Sequence, residues 1–366
     1  MKEVLIATDG FLPRWDGVAR FLSEIIPGLA KKYKITVVAP DYKGKKYMHN
    51  NVTVVRIPLR DVTIGDYTPS VIDAKKIKRL VEHHDIVFVQ SLGPIGAPAV
   101  YYGRKFKKKV VAFMHSVEWE LVSSSLKRYK RSTYVLVKKM VQYLYKKCDV
   151  IIFPSEEIKQ HLDRIKVKKK IVHVGTNSNY FKPGVRNKAK KKIGINGDSF
   201  VIGYVGRIGR EKDLLTLERA YFHLKKQYPN LELLIVGDGV AEVVRQLKKT
   251  GVQVVGCKDN VLPYYQAMDV YVLPSLTETS SLSTMEAMSC GLPVIVTPVG
   301  FLKSYIIPGV NGLLFHPKDV KQLIRKLEIL INDSDVRKKL GKNARQTIID
   351  KFSWEKTVKE IGKVLG

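Results

Sequence analysis

Short, unbroken apolar runs alternate with helix-period segments along the whole of this sequence, and no other feature restricts its fold as tightly. Val4-Leu5-Ile6-Ala7, Ile86-Val87-Phe88-Val89, Val110-Val111-Ala112-Phe113-Met114 and Val150-Ile151-Ile152-Phe153 show no polar alternation. A strand that is apolar on both sides must be covered on both faces, as strands of parallel sheets are. The pattern predicts strands near residues 3–8, 35–39, 53–57, 86–89, 110–114 and 150–153. Between the first two, Val18, Ala19, Phe21, Leu22, Ile25, Ile26, Leu29 and Ala30 recur at helical spacing. Pro27, inside that pattern, is expected to kink the helix or end it early. Strand–helix alternation at this spacing implies parallel sheets with helices on both faces.

The series then restarts. Residues 200–205 read as a new first strand, followed by a helix near 212–226, a strand at 232–236 and a helix near 240–249. Further strands are predicted near 252–255, 270–273 and 293–296. The stretch 177–197 is rich in Lys, Gly, Asn and Pro and reads as a linker. The expected architecture is α/β: two Rossmann-like, doubly wound domains, residues 1–181 and 182–351, whose strand carboxyl ends face one central cleft. A last helical pattern, 352–366, is expected to cross back onto the first domain. A chain of 366 residues suits two such cores better than one. No apolar run approaches the roughly 20 residues of a membrane helix. No signal peptide is read at the N-terminus. Three scattered cysteines, Cys148, Cys257 and Cys290, fit reduced thiols. A cytoplasmic location is expected.

Charge narrows the partners. The formal net charge is +30, and residues 1–182 carry 35 Lys and Arg against 16 Asp and Glu. Arg104 to Lys109 and Lys127 to Arg131 dominate that excess. A field of this sign attracts nucleic acid, anionic lipid or phosphorylated substrates, unless it is only a lysine-rich solvated surface. No nucleic-acid-binding module and no aromatic–basic stacking pattern accompanies it, so a nucleic-acid partner is not expected.

The chemistry concentrates at 273–297. An apolar strand ends in Pro274-Ser275, a polar loop follows, and a helix is expected to start near Ser281 and stop at Gly291. The free N–H groups and positive dipole end of that helix form an anion site. Glu278 stands before the helix and Glu286 inside it. Two carboxylates would repel a bare phosphate, but each suits a vicinal diol, and a diphosphate can lie between the two diols.

The Glu-x7-Glu spacing of Glu278 and Glu286, followed by Ala287, Met288, Cys290, Gly291, Pro293 and Val294, resembles the signature of glycosyltransferase family four. Gly203, Gly206, Arg207 and Lys212 resemble its Gly-Arg…Lys segment, and Gly237-Asp238-Gly239 its nucleotide-side loop. Asn311-Gly312 resembles its late turn. In the first half, Phe11 to Arg20 with Gly17 resembles the glycine loop, His115 to Glu118 the cleft histidine segment, and Pro154-Ser155-Glu156 the family's Ser-Glu. The resemblance covers nearly the whole chain. It implies a retaining transferase of the GT-B fold that acts on a nucleotide-diphosphate sugar with no metal and no other cofactor.

It also implies residue roles. Arg207 and Lys212 clamp the leaving diphosphate, helped by the backbone N–H groups of Ser281 and Leu282. Glu286 holds the ribose and Glu278 the donor sugar. Gly206, Gly237 and Asp238 line the donor side. Gly17 lets its loop approach the diphosphate, and His115 lines the sugar site without acting as a base. The family's first domain takes the acceptor.

Segment 126–147 mixes Leu126, Val135, Leu136, Met140 and four tyrosines with eight Lys and Arg. It reads as a basic amphipathic helix able to lie on an anionic membrane, or as a domain helix with a lysine-rich outer face. Residues 90–96 and the basic first domain resemble the transferases that glycosylate membrane lipids. The expected reaction is hexose transfer from UDP-glucose or GDP-mannose to a membrane glycolipid or lipid-linked saccharide, peripheral on the inner face of the membrane; a soluble acceptor such as a sugar phosphate is the alternative. Asp333-Ser334-Asp335 mimics the Asp-x-Asp of metal-dependent transferases, and a helix cap is the expected role there. The chain departs from the family at Asp16, Phe301 and Ser304.

Overall fold

The computed structural model describes residues 1–366 apart from 15, 45–46, 64–66 and 121–129. The chain divides into two units, Met1–Val174 with Trp354–Gly366, and Gly175–Ser353. Each is an α/β unit around one parallel sheet.

The first unit carries β1 (Glu3–Ala7), β2 (Lys34–Pro40), β3 (Val52–Ile57), β4 (Ile86–Val89), β5 (Lys109–Phe113), β6 (Val150–Phe153) and β7 (Lys168–Ile171), in the spatial order β3-β2-β1-β4-β5-β6-β7. All neighbours are parallel, and Leu5 of β1 pairs with both Thr36 and Val87. The order reverses between β1 and β4, which places the ligand end at the residues following those two strands, Thr8-Asp9-Gly10 and Gln90-Ser91. Strand β7 was not anticipated. Its sequence, Lys-Lys-Lys-Ile, holds almost no apolar signal, and it pairs only as an edge along β6.

Asp16 caps the first helix, Gly17–Leu29, by accepting the Ala19 N–H at 2.9 Å. Pro27 does not end that helix early, since the helix runs on to Leu29. It lies in the last turn, where its missing N–H removes one bond, and the Ala30 N–H still reaches the Ile26 carbonyl. The C-terminal helix Trp354–Leu365 packs on this element. A methyl group at Gly28 would meet Val358 at 2.8 Å, and Tyr33 Oη donates to the Gly362 carbonyl.

The second unit carries β8 (Phe200–Val205), β9 (Leu231–Val236), β10 (Gln253–Val254), β11 (Val270–Leu273), β12 (Val294–Val296) and β13 (Leu313–Leu314), ordered β10-β9-β8-β11-β12-β13, again all parallel. Its switch point lies between β8 and β11, so its ligand end is formed by Gly206-Arg207 and Pro274-Ser275.

The 177–197 segment is not a linker. Phe181 is fully buried in the second core, and 186–192 form a helix. From that helix Lys190, itself buried, reaches Asp269 Oδ2 at 2.8 Å and the Ser199 carbonyl at 2.6 Å. The expected boundary at 181 therefore lies inside the second unit. Asp333 caps the helix Ser334–Lys351, accepting the N–H groups of Asp335 and Val336 at 2.9 Å.

Candidate functional site

In the second unit the residues after β8 and β11 meet. The 3-10 turn Arg210–Lys212 is tied to the loop after β11 by Leu276 N–H donating to the Glu211 carbonyl at 2.8 Å. Lys212 Nζ lies 2.5 Å from Glu278 Oε1, and Ser275 Oγ donates to the same oxygen at 2.8 Å. The pair is largely sheltered, with the Lys212 side chain 18% and the Glu278 side chain 9% exposed. Oε1 is thus engaged twice, while Oε2 bonds to none of the described residues. The ammonium of a lysine has three donors, so two remain for a ligand. Arg207 is more open, 48% exposed, and pairs with Glu211 Oε1 at 2.5 Å. Sequence reasoning treated Lys212 and Glu278 as separate contacts; the structure joins them as one ion pair.

The loop then turns sharply. Ser281 adopts φ +52°, a left-handed conformation costly for a residue with a side chain, and the helix Leu282–Ser289 starts there without a side-chain cap. The backbone amides of Ser281 and Leu282 donate to none of the described residues, which leaves the first-turn donors open to an anion. One turn further on, Glu286 is buried and accepts from Tyr265 Oη at 2.9 Å. Burial and the neighbouring Glu286 carboxylate push the Tyr265 phenol well above its usual value, so it remains a donor. Tyr271 and Ser283 hydroxyls lie 2.8 Å apart beneath the same helix.

The nucleotide-side loop depends on close backbone approach. Gly206 and Gly237 have φ +151° and +143°, and a methyl group at Gly237 would stand 1.9 Å from the Gly206 carbonyl oxygen. No side chain fits there. Asp238 accepts its neighbour's N–H, from Gly239, at 2.8 Å.

In the first unit, Gly17 begins its helix, and among the described residues no atom beyond its chain neighbours lies within 4 Å of an added methyl group. His115 follows β5. Its ring is stacked on Phe113 and edge-on to Phe21, and Nε2 lies 3.0 Å from Gln90 Oε1. Burial pulls its pKa down to about 3, so it is neutral. Asp9 is buried after β1 and gathers the Ser91 hydroxyl and the N–H groups of Gly93 and Ile95 within 3.0 Å, which shapes the turn after β4. Glu118 accepts from Tyr145 Oη, and burial raises its carboxyl to about 7.

The model described as Glycosyltransferase Family 4 matches residues 15–177, and that described as Glycosyl transferases group 1 matches residues 185–347. The chain belongs to glycosyltransferase family 4. The transferase is 26% identical to the alpha-monoglucosyldiacylglycerol synthase of Acholeplasma laidlawii, over 93% of this chain and 90% of that one. It is also 26% identical to the GDP-mannose-dependent alpha-(1-6)-phosphatidylinositol monomannoside mannosyltransferase of Mycolicibacterium smegmatis, over 96% and 95%. Its fold matches that of Anabaena Alr3699/HepE, solved with UDP and glucose, with a TM-score of 0.78 at 17% identity over 100% of this chain and 99% of that one. The fold is GT-B.

The structure brings Arg207, Lys212, Glu278, Ser281, Leu282 and Glu286 of this transferase to one end of the second sheet, with Gly206, Gly237 and Asp238 beside them. His115 and Gly17 belong to the first unit. Tyr265 and Glu211 escaped sequence reasoning, and Gln90 entered it only within segment 90–96, not as a partner of His115. Tyr265 and Gln90 stand 21 and 25 residues from the groups they bond, where no local spacing reveals a contact. Only Glu211 had a signal, four residues after Arg207 on a short turn.

Proposed function

We propose that this transferase moves a hexose from UDP-glucose or GDP-mannose to a membrane glycolipid or lipid-linked saccharide, with retention of configuration and without a metal or other cofactor. The observation that carries the reading is the sheltered Lys212–Glu278 pair on the loop that leads into the open amides of Ser281 and Leu282. As the bond from the sugar's anomeric carbon to the diphosphate breaks, charge gathers on the leaving oxygen. Lys212, Arg207 and the helix amides are fixed donors for that charge. The acceptor oxygen bonds to the anomeric carbon on the same face and passes its proton to the departing phosphate oxygen. Neutral His115 is too weak a base to compete for that proton. Glu278 Oε2 meets the sugar hydroxyls, and Glu286, steadied by Tyr265, meets the ribose diol. The absence of a side chain at Gly17 leaves room for the diphosphate.

For the acceptor, the helix Lys130–Tyr145 supports the lipid reading. It buries Val141, Leu144 and Tyr145 in the first core. It leaves Val135, Leu136, Met140 and Tyr143 exposed, with Lys139 exposed among them and Lys146 exposed just past its end. It is a domain helix, and its outer face is both apolar and basic, as a surface resting on anionic headgroups needs. Residues 126–129 lie outside the described residues. Two relatives named for glycosylated lipids point the same way. No helix among the described residues is long and apolar enough to cross a membrane, so contact with the inner face of the membrane would be peripheral.

The test is transfer from each donor into anionic liposomes carrying diacylglycerol or its monoglycoside, with chelator present. A glycolipid whose anomeric configuration matches the donor's is expected. Transfer to a soluble sugar phosphate alone, an inverted product, or loss of activity with chelator would each overturn a part of the reading.

A further inference from the structure

Gln90 follows directly on β4, at the carboxyl edge of the first sheet, yet its side chain is only 1% exposed. Its amide oxygen lies 3.0 Å from His115 Nε2, and its amide nitrogen is buried without a hydrogen-bond partner among the described residues. Phe113 stacks on the His115 ring at 4.4 Å between centroids, and Phe21 meets it edge-on at 4.7 Å. A carboxamide oxygen only accepts, so Nε2 of His115 carries the proton. A neutral imidazole has one ring proton, and the lone pair therefore sits on Nδ1. Nδ1 bonds to none of the described residues and is not among the buried unpartnered atoms, so it is the nitrogen that reaches solvent.

We propose that Gln90 is the positioning residue for His115: its amide oxygen takes the Nε2 proton, fixes the tautomer and ring plane, and leaves Nδ1 as a hydrogen-bond acceptor for a hydroxyl of the donor sugar. The second half of this inference rests on His115 lining the sugar site. Two features separate positioning from packing. The two phenylalanines fix the ring's position but exert no preference between its tautomers; only the Gln90 contact does. The unpartnered amide nitrogen is also a poor choice for stability, because a buried donor without an acceptor is unfavourable. An apolar side chain of similar size would remove that donor and fill the same space. The presence of glutamine here is then explained by what its oxygen does to His115.

Three measurements test it. Long-range proton–nitrogen correlation on histidine-labelled enzyme reports which nitrogen of His115 is protonated, with His115→Ala assigning the signal and no substrate needed. The Nε2–H tautomer is expected, and an Nδ1–H tautomer overturns the inference. In Gln90→Met, kcat should fall on the order of tenfold, the effect of one misaligned neutral hydrogen bond. The KM for the donor and the Tm should hold. An unchanged kcat, or a loss of kcat that follows a loss of Tm, overturns it. In Gln90→Glu, a carboxylate beside the ring favours the imidazolium, whose Nδ1 has no lone pair. The rate of that variant should fall with decreasing pH across a range where the wild-type rate is flat, and superimposable profiles would count against it. Failure of the sugar-site reading looks different: His115→Ala keeps full kcat while the Nε2–H assignment stands.

Discussion

Lys212 and Glu278 allow the structural and the catalytic use of one ion pair to be separated. Both side chains are mostly sheltered, and among the described residues Glu278 has only Ser275 as a further hydrogen-bond donor. Lys212→Met strands a nearly buried carboxylate, and breaking a buried pair from one side costs about 3 kcal/mol. Removing the charge from the other side as well, in Lys212→Met with Glu278→Gln, takes away the stranded anion and keeps an oxygen that can accept from Ser275. About 2 kcal/mol of that loss should return, so the coupling in a double-mutant cycle should be about 2 kcal/mol plus the cost of Glu278→Gln alone. Activity should behave differently. Lys212 is a fixed cation for the leaving diphosphate, so its loss lowers kcat by about 100- to 1,000-fold. The double variant has no cation to restore and should remain as slow. Urea unfolding followed by circular dichroism gives the stability cycle, and product release from UDP-glucose or GDP-mannose gives the rates. If the double variant regains kcat together with stability, Lys212 is only a structural counter-ion and the leaving-group argument fails.

Two further outcomes follow from the first unit. Glu118→Gln keeps an acceptor for Tyr145 and removes a carboxyl raised from 4.5 to about 7. The folded state of the wild type binds this proton more tightly than the unfolded chain, so its contribution is complete below about pH 4.5 and is lost as pH rises through 7. The variant should therefore gain about 2–3 kcal/mol on the wild type at pH 8 relative to pH 4.5. Tryptophan fluorescence reads this unit alone, because Trp15, Trp119 and Trp354 all belong to it; a pH-independent difference would refute the assignment. Leu136→Glu with Met140→Glu, on the outer face of Lys130–Tyr145, should abolish salt-sensitive pelleting with anionic liposomes and leave donor hydrolysis intact. Undiminished pelleting would remove that face from the membrane contact.

The sequence reveals the strands where burial on both faces makes them continuous, as at 86–89 and 150–153. It hides them where pairing alone makes them. The lysine-rich edge strand Lys168–Ile171 has no apolar run to detect, and Leu313–Leu314 is two residues long. Composition misleads at 177–197, because a lysine-rich stretch looks solvated. Lys190 is buried there only because Asp269, far along the chain, meets it. The second-unit site is legible for a different reason. Arg207 and Glu278 follow closely on β8 and β11, Lys212 ends the turn after Arg207 and Glu286 sits on the helix after Glu278, so all four fall in short motifs whose resemblance to the family locates them. What spacing does not give is their partners. That Lys212 pairs with Glu278, that Tyr265 holds Glu286 and that Gln90 faces His115 depend on strands adjacent in the sheet and distant in the chain. Pro27 shows the limit of a residue rule: its effect depends on the turn it occupies, and the last turn tolerates it.

Donor binding in the second unit is the claim on which the rest depends, and calorimetric titration of UDP-glucose and GDP-mannose into the wild type and Glu286→Ala, with chelator present, tests it most directly. One of the two donors should bind the wild type without metal and lose about 2 kcal/mol or more in the variant, the size of a charged hydrogen-bond contact. Equal affinity in both proteins, or binding that appears only when a divalent ion is restored, would contradict the account.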